Sequence, residues 1–422
     1  MIKSVTGTKD ILPADIPPWK YLEKIVEQVF VNFNYKEIRT PVFEETALFA
    51  RSIGEETDIV GKEMYTFRDK SDTNLTLKPE MTASVVRSFL EHSLGAQQSL
   101  VKLFYISPMF RQERPQAGRF RQFHQFGAEA IGSKSPLLDA EMIQIAYEIL
   151  KLLGLKGLSV KINSLGTPET RENYKKLLKV FLKDKKSKLS EDSRRRFDTN
   201  VLRIFDSKVE SDQEIIKDTP KLIDHLDEES KNDFEVVKDE LNKSAIPFEI
   251  DPTLVRGLDY YTKLTFEIIS GSVGSQNALC GGGRYDLLIE NLGGKPTPAT
   301  GFAAGIERIL LACENESAFG GSIPEANIDV YLVRIDKKLE SSVSELALQL
   351  RRKQIKVDFD YLQRSVKAQM REANKMNARY VLFIGGDEYK EGMMNLKNMS
   401  TGVEEKIYLT KIQDLIVKIK SQ

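Results

Sequence analysis

Residues 104–132 read FYISPMFRQERPQAGRFRQFHQFGAEAIG, and the reading of this stretch decides the fold. Its pattern predicts two strands joined by a short polar loop, Arg114 to Gly118, with Pro115 and Gly118 as the turn formers. Side chains alternate along a strand, so Arg121, Phe123, Gln125, Gly127 and Glu129 fall on one face of the second strand, with Gln122, His124 and Phe126 on the other. On the first strand Arg111 and Glu113 share a face. If the mixed faces lie on one side of the sheet, a single surface carries two arginines, two carboxylates, an amide and a flat ring. That mixture does not suit a core. It suits a ligand with a phosphate, an ammonium and a ring: arginine pairs with phosphate or carboxylate oxygens, a carboxylate holds the ammonium, and Phe123 offers a stacking plane. Taken alone, the hairpin favours a plain salt-bridged sheet; the motifs further along reverse that preference.

The chain has 422 residues, 41% of them hydrophobic, and 62 basic residues balance 62 acidic ones. This length predicts two to four domains with ample core, and neutrality excludes a generally basic nucleic-acid coat while leaving room for a local basic patch. Cys280 and Cys313 form no CxxC pattern and His92, His124 and His225 are scattered, which argues against a structural zinc site or a disulfide framework. The opening MIKSVTGTKDILP has no apolar h-region and no apolar run reaches membrane-spanning length. The expectation is a soluble protein of a reducing compartment, the cytoplasm, with no membrane partner.

Periodicity predicts a helix over Trp19–Asn34, a strand over Lys36–Pro41, a short helix over Phe43–Gly54, a hairpin of Met64–Arg68 with Leu75–Lys78, and a helix opening near Pro79 and Glu80. After the organising hairpin come a helix over Leu138–Leu153 and a strand over Ser159–Ile162. From Pro168 to Pro247 charge is dense and no strand pattern appears, which reads as a helical insertion. Strands resume from Leu254 through LVRGLDYYTKLTFEII, followed by the glycine-rich CGGGRYDLL and by GFAAGIERILLAC, a strand entering a helix. A linker at 320–327 leads to an alternating segment, strands at Asp329–Arg334, Lys356–Asp360 and Tyr380–Gly385 with helices at Lys338–Lys353 and Ser365–Met376. A hairpin (Met394–Asn398, Glu405–Leu409) and a helix over Lys411–Lys420 close it.

In these residues the chain resembles the class II aminoacyl-tRNA synthetases, and within them the histidyl-tRNA synthetase family, over essentially its whole length. The helix and strand ending in Pro41 are similar to motif 1, the dimer-forming element, FRQERPQAGRFRQF to motif 2 and GFAAGIERIL to motif 3. LVRGLDYYT (254–262) and GGGRYD (281–286) are similar to the two histidine-specific signatures, a far more specific pairing. The resemblance implies an α+β fold: a class II antiparallel sheet with flanking helices, a helical insertion, a C-terminal α/β anticodon-binding domain and a homodimer. The expected division is a core in two parts, 1–167 (motifs 1 and 2) and 248–320 (histidine signatures and motif 3), around an insertion at 168–247, with the anticodon-binding domain at 328–422.

The implied chemistry joins L-histidine to its tRNA through a histidyl-adenylate, with ATP as substrate, Mg2+ carried by the ATP and no tightly bound protein metal. Arg111 and Arg256 are the implied catalytic pair on the α-phosphate. Arg111, Glu113, Arg119, Phe123 and Arg308 are implied for ATP. Glu80, Met81, Thr82, Arg111, Gln125, Glu129, Arg256, Tyr260 and Tyr261 are implied for histidine. Gly301 and Gly305 fit a tight strand-to-helix approach, and the glycines of 280–285 would let backbone come close to the ligand. Other readings stand beside these: Arg308 as an ordinary exposed helix arginine, Arg256 as a structural partner of Asp259, and the GGG run as a flexible turn. For RNA, Arg364, Lys367, Arg371 and Lys375 recur at helical spacing, and Arg194–Arg196 and the lysines of 183–188 could meet the acceptor arm; a solvated charged face explains either equally well.

The chain departs from the family in the loop that commonly reads RPEGT, where Lys78 and Met81 stand for the arginine and the glycine. Lys78 keeps a charge without the fork, and Met81 adds bulk beside the amino-group site. One rival reading is the non-catalytic synthetase-like regulatory subunit of ATP phosphoribosyltransferase, but such proteins tend to lack the C-terminal domain and an intact LVRGLDYY. A synthetase for threonine or proline fails on the two histidine signatures.

Overall fold

The computed structural model describes residues 2–420 apart from 55–56, 58, 117, 256–257, 259, 275–276, 322 and 324–326. The chain divides into two units, Met1–Ile323 and Pro324–Gln422.

The first unit is organised on the hairpin. Its strands run Val101–Phe110 and Gln122–Ile131 and pair antiparallel from Val101↔Ile131 to Phe110↔Gln122. The connection, 111–121, is longer than the sequence predicts. Beyond Phe110↔Gln122 one more bond crosses the hairpin, from the Arg111 N–H to the Arg121 carbonyl at 2.9 Å, and then the backbone turns to other partners: the Gln112 N–H donates to the Glu63 carbonyl at 2.7 Å and the Arg121 N–H to the Gly7 carbonyl at 2.6 Å. Arg111 and Glu113 therefore sit on the loop and do not share a strand face. Arg121 leaves the ligand face, its guanidinium donating to the Thr6 carbonyl at 3.2 Å.

Around the hairpin an eight-stranded sheet runs in the order Lys36–Glu37, Val101–Phe110, Gln122–Ile131, Ala299–Gly305, Ala278–Arg284, Thr262–Ser270, Leu158–Ser164 and Phe248–Ile250. It is antiparallel except at its two edges, where Lys36–Glu37 and Phe248–Ile250 pair parallel to their neighbours. Strands from before and after residues 168–243 thus interleave in one sheet, and that intervening stretch is helical, with its longest helices at Pro168–Leu182 and Glu228–Lys243. A separate three-stranded sheet pairs Phe43–Glu45, Asn74–Leu77 and Tyr65–Arg68.

Four local expectations are corrected. The glycine run is a central strand and not a turn. A Cβ on Gly282 would lie 2.2 Å from the Gly301 carbonyl oxygen, so a side chain there would push the two strands apart. Phe43–Gly54 splits into a strand and the helix Thr46–Ile53. The strand expected over Lys36–Pro41 is only Lys36–Glu37. The strand expected from Leu254 begins at Thr262.

One face of the sheet is covered by the helices Ile16–Asn32, Pro136–Leu152 and Glu228–Lys243. The first opens with Pro17 and Pro18, whose missing N–H groups are harmless there. It buries Leu22, Val26, Val29 and Phe30 at helical spacing, with the Phe30 ring stacked 4.7 Å from Phe104. On the other face a second cluster gathers Val85, Tyr105, Tyr260, Tyr261 and Tyr285 with apolar residues of the helical stretch.

The Pro324–Gln422 unit is a five-stranded sheet ordered Val357–Phe359, Val330–Arg334, Tyr380–Ile384, Met393–Asn398 and Glu404–Tyr408, parallel in its first three strands and antiparallel in the rest. Arg364 does not join the helical row of cations. It is bonded to Asp360 and, at 2.9 Å, to Glu372, while Lys367, Arg371 and Lys375 are exposed.

Arg284, from the GGGRYD signature, is a structural residue. It is 1% exposed, and its guanidinium donates to Asp139 at 2.9 Å and to the carbonyls of Ser133 and Ser135 at 3.0 and 3.1 Å, tying the sheet to the start of the Pro136–Leu152 helix. Asp139→Ala would leave that charge buried without its main partner. It is expected to destabilise the protein by about 3–5 kcal/mol, read as a lowered urea midpoint.

Candidate active site

At the floor of the site lies the carboxylate of Glu129, fully buried on the hairpin's second strand. Its register partner on the next strand is Gly301, and a Cβ there would fall 1.8 Å from Glu129 Oε2. The glycine is what makes room for the acid. Oε1 accepts from the Thr82 hydroxyl at 2.7 Å, and Oε2 accepts from the Tyr285 phenol. Burial pushes the Glu129 carboxyl up to about 8, against the lowering effect of the Tyr285 and Thr82 hydroxyls.

A second carboxylate, Glu80, is 4% exposed. It accepts from the backbone N–H groups of Thr82 at 2.7 Å and Ala83 at 2.9 Å, satisfying donors at the start of the helix Thr82–Glu91. Burial raises its pKa and those N–H groups pull it back. Two acids so close in a hollow with little water form a site for a cation.

The other end of the cleft attracts anions. Arg111 donates to the Pro79 carbonyl at 2.8 Å, and its guanidinium lies 5.4 Å over the Phe123 ring. Glu113 lies between Arg111 (3.6 Å) and Arg119 (3.0 Å). Arg308, on the helix Ile306–Asn315, donates to the Ala278 carbonyl at 2.9 Å, and burial followed by the nearby Arg119 lowers its pKa. The next residue back, Glu307, also lines the cleft; it accepts from the His124 backbone N–H and bonds the His124 ring, each at 2.9 Å. That ring meets Trp19 edge-on at 5.0 Å.

The cleft encloses about 1110 Å3 of empty space, its open mouth included. Of the residues expected in the site, Glu80, Thr82, Arg111, Glu113, Arg119, Phe123, Gln125, Tyr260, Tyr261 and Arg308 line it; Glu129 does not, being fully buried beneath the lining residues Thr82 and Tyr285 that bond it. Among the described residues, the buried Gln125 Oε1 has no hydrogen-bond partner. Met81 is not among the lining residues. Its side chain is fully buried with the sulfur 3.4 Å from the Thr40 hydroxyl and 3.5 Å from the Lys78 ammonium, so the expected bulk beside the amino-group site is directed into packing. Burial draws that Lys78 ammonium down to about 8. Arg256 and Asp259 lie outside the described residues. Gly305 needs no special allowance, since a Cβ there would meet only Arg308 Cβ at 3.9 Å.

Two residues of the site escaped sequence reasoning. Tyr285 sits inside a signature whose glycines drew attention first, and only the fold shows its phenol on Glu129. Glu267 also lines the cleft; its signal was a lone carboxylate in the apolar run LTFEII. Among the described residues, no group of three or more His, Cys, Asp and Glu side chains is arranged to hold a metal ion.

A family model described as histidyl-tRNA synthetase matches residues 7–309, and one described as anticodon binding domain matches residues 329–421. The chain belongs to the histidyl-tRNA synthetase family. Among curated relatives, the histidine–tRNA ligase of Caldanaerobacter subterraneus subsp. tengcongensis is 46% identical over 99% of this chain and 99% of its own. That of Halothermothrix orenii is 47% identical with the same coverage. Among solved structures, the apo histidyl-tRNA synthetase of S. aureus superposes with a TM-score of 0.83 at 39% identity, covering 99% of this chain and 100% of that one. In this member of the histidyl-tRNA synthetase family, the cation end and the anion end described above share one cleft.

Glu129 gives the ligand-free protein a pH dependence of definite sign. Its carboxyl has an ordinary value of 4.5 and is held at about 8 in the fold. Across that interval the folded state keeps a proton that the unfolded chain releases, so this group's contribution to stability falls as pH rises. Glu129→Gln is expected to flatten the decline, raising the thermal midpoint over wild type at pH 8–9 more than at pH 5.

Proposed function

We propose that this chain attaches L-histidine to its tRNA in two ATP-driven steps within the cleft. The observation that carries the reading is the juxtaposition of two buried carboxylates, Glu80 and Glu129, with the cluster Arg111, Arg119 and Arg308. A free amino acid is a zwitterion and ATP a polyanion, and the two ends of the cleft match that pair of charges. Membership of the family and the near-full-length ligase relatives support the same activity.

In this reading the α-ammonium lies against Glu80 and Glu129 with Thr82 between them, and Tyr260 and Tyr261 flank the imidazole. The bare Gln125 Oε1 accepts a ligand N–H. A pocket that hydrogen-bonds imidazole rejects apolar analogues by roughly 10⁴–10⁵, because its own polar groups would be stranded. Adenine stacks on Phe123 with Glu113 and Arg119 at its edge and at the phosphate tail, and Arg308 takes the γ-phosphate. Mg2+ enters as the counter-ion of ATP.

A carboxylate oxygen of histidine then attacks the α-phosphorus and pyrophosphate leaves. In the second step the terminal ribose hydroxyl of the tRNA attacks the activated carbonyl carbon and AMP leaves. Arg111 holds the incoming carboxylate beside the α-phosphate, and Arg256 is assigned the opposite side of the developing charge. Acceleration comes from alignment and from fixed positive charge.

We assign residues 1–167 and 248–320 to the catalytic core, 168–247 to an insertion facing the acceptor arm, and 328–422 to the anticodon. A homodimer in the cytoplasm completes the reading. Exposed apolar side chains near the motif 1 strand support the dimer: Val42, Phe43 and Phe67 are 39%, 47% and 44% exposed, with the two phenylalanine rings 6.5 Å apart. No described helix is long and apolar enough to cross a membrane. The regulatory-subunit reading has less support, since the ligase relatives match 99% of this chain and the anticodon-domain match spans residues 329–421.

Pyrophosphate exchange with a panel of amino acids tests the assignment. Exchange is expected with histidine alone; equal exchange with threonine or proline, or none at all, would overturn it. In the same assay Arg256→Ala is expected to lower kcat by roughly 10²–10³, with smaller changes in the KM of histidine and of ATP.

A further inference from the structure

Two ties run from the helical insertion to the rim of the cleft. Arg171, in the first turn of the Pro168–Leu182 helix, donates to the backbone carbonyl of Tyr261 at 2.7 Å. Two residues further on, the ammonium of the buried Lys263 donates to Glu229 at 2.6 Å and Asp233 at 2.7 Å. Both acids lie on the Glu228–Lys243 helix, four residues apart and so on one face of it.

The backbone between these ties is strained. Lys263 has φ +44°, a left-handed conformation that non-glycine residues seldom adopt and keep only when their surroundings enforce it. Its N–H donates to the Gly166 carbonyl at 3.0 Å and its own carbonyl accepts from Leu165 N–H at 2.7 Å. At this point the pairing with the glycine strand jumps from Gly283↔Thr265 to Arg284↔Thr262, a bulge. Bulges beside active sites re-aim side chains. Immediately upstream are Tyr260 and Tyr261, both lining the cleft with their rings 4.7 Å apart.

Neither Arg171 nor Lys263 lines the cleft, and the adenylation chemistry has no use for either. We infer that Arg171, Lys263 and the Glu229–Asp233 pair are positioning residues for histidine recognition: the insertion clamps the bulge and so sets the two tyrosines. The inference rests on the histidine-activating reading above. It makes the insertion a structural part of the amino-acid pocket, and whatever displaces these helices is felt by histidine before ATP.

The test uses the full-length chain with the double variant Glu229→Gln/Asp233→Asn, which keeps side-chain size on a helix whose Glu229 is 63% exposed. The histidine KM in pyrophosphate exchange is expected to rise about tenfold, with the ATP KM within about twofold, because misplacing contact groups by a fraction of an ångström is enough for such a loss. Amide hydrogen exchange of Tyr260–Thr262 is expected to quicken while that of Val101–Phe110 stays unchanged. Lys263→Arg preserves the tie and should keep histidine KM near wild type. Lys263→Gly relieves the backbone but cuts the tie, and should behave like the double variant. An unchanged histidine KM, equal rises in both KM values, or unchanged exchange at Tyr260–Thr262 would overturn the inference. Wild-type protein that activates no histidine would instead defeat the proposed function. The amide exchange needs no substrate and would still decide whether the ties hold the tyrosine segment.

Discussion

Glu129 is wholly cut off from solvent, and the architecture around it answers that burial. The strand beside it carries glycine where any other residue would collide with the carboxylate. A hydroxyl and a phenol occupy its oxygens, and the helix bearing Thr82 is in turn capped by Glu80. Bringing a second acid close to the first makes matters worse in the empty site and better in the filled one. In the proposed reading, the positive charge that offsets the pair is the substrate's ammonium.

The anion end follows a complementary logic. Its guanidinium groups share Glu113, a backbone carbonyl or two and the face of Phe123. None of these partners neutralises the cluster. Phosphate oxygens can displace such contacts in pairs without leaving a carboxylate buried and alone. Because Arg111 donates to the Pro79 carbonyl, directly before Glu80, the two ends are linked through one short stretch of backbone. In the proposed reading, an amino acid whose ammonium is seated at Glu80 has its carboxylate brought to Arg111.

Much of this was legible from spacing. Alternation placed Phe123, Gln125 and Glu129 on one face, and helical periodicity found the elements that cover the opposite side. What escaped was decided by partners distant in sequence. The strand pairing ends at Arg111, whose N–H still reaches the Arg121 carbonyl, because Glu63 and Gly7 take the Gln112 and Arg121 N–H groups. The triple glycine resembled a turn until the strand on either side showed why side chains were excluded. Arg284 lies inside the GGGRYD signature with no role readable from its neighbours, and is held by Asp139 and two carbonyls. Met81 looked obstructive but turns towards Lys78 and Thr40. Nothing in the letters around Lys263 announced a left-handed residue, since its conformation is imposed by helices that enter the sequence earlier.

The bond between Glu307 and His124 has a consequence for the neighbouring arginine. Successive residues on a helix are about 100° apart around its axis. With Glu307 fixed to a backbone N–H and an imidazole of the hairpin's second strand, the start of the helix Ile306–Asn315 is held against rolling, and Arg308 stays on the Ala278 carbonyl at the cationic end of the cleft. The aim of the arginine is thus a matter of rotational phase, locked by its neighbour in sequence. One residue inserted between Gly305 and Glu307 would turn the cylinder by that same angle, moving the cation out of line without removing a single group of the cleft.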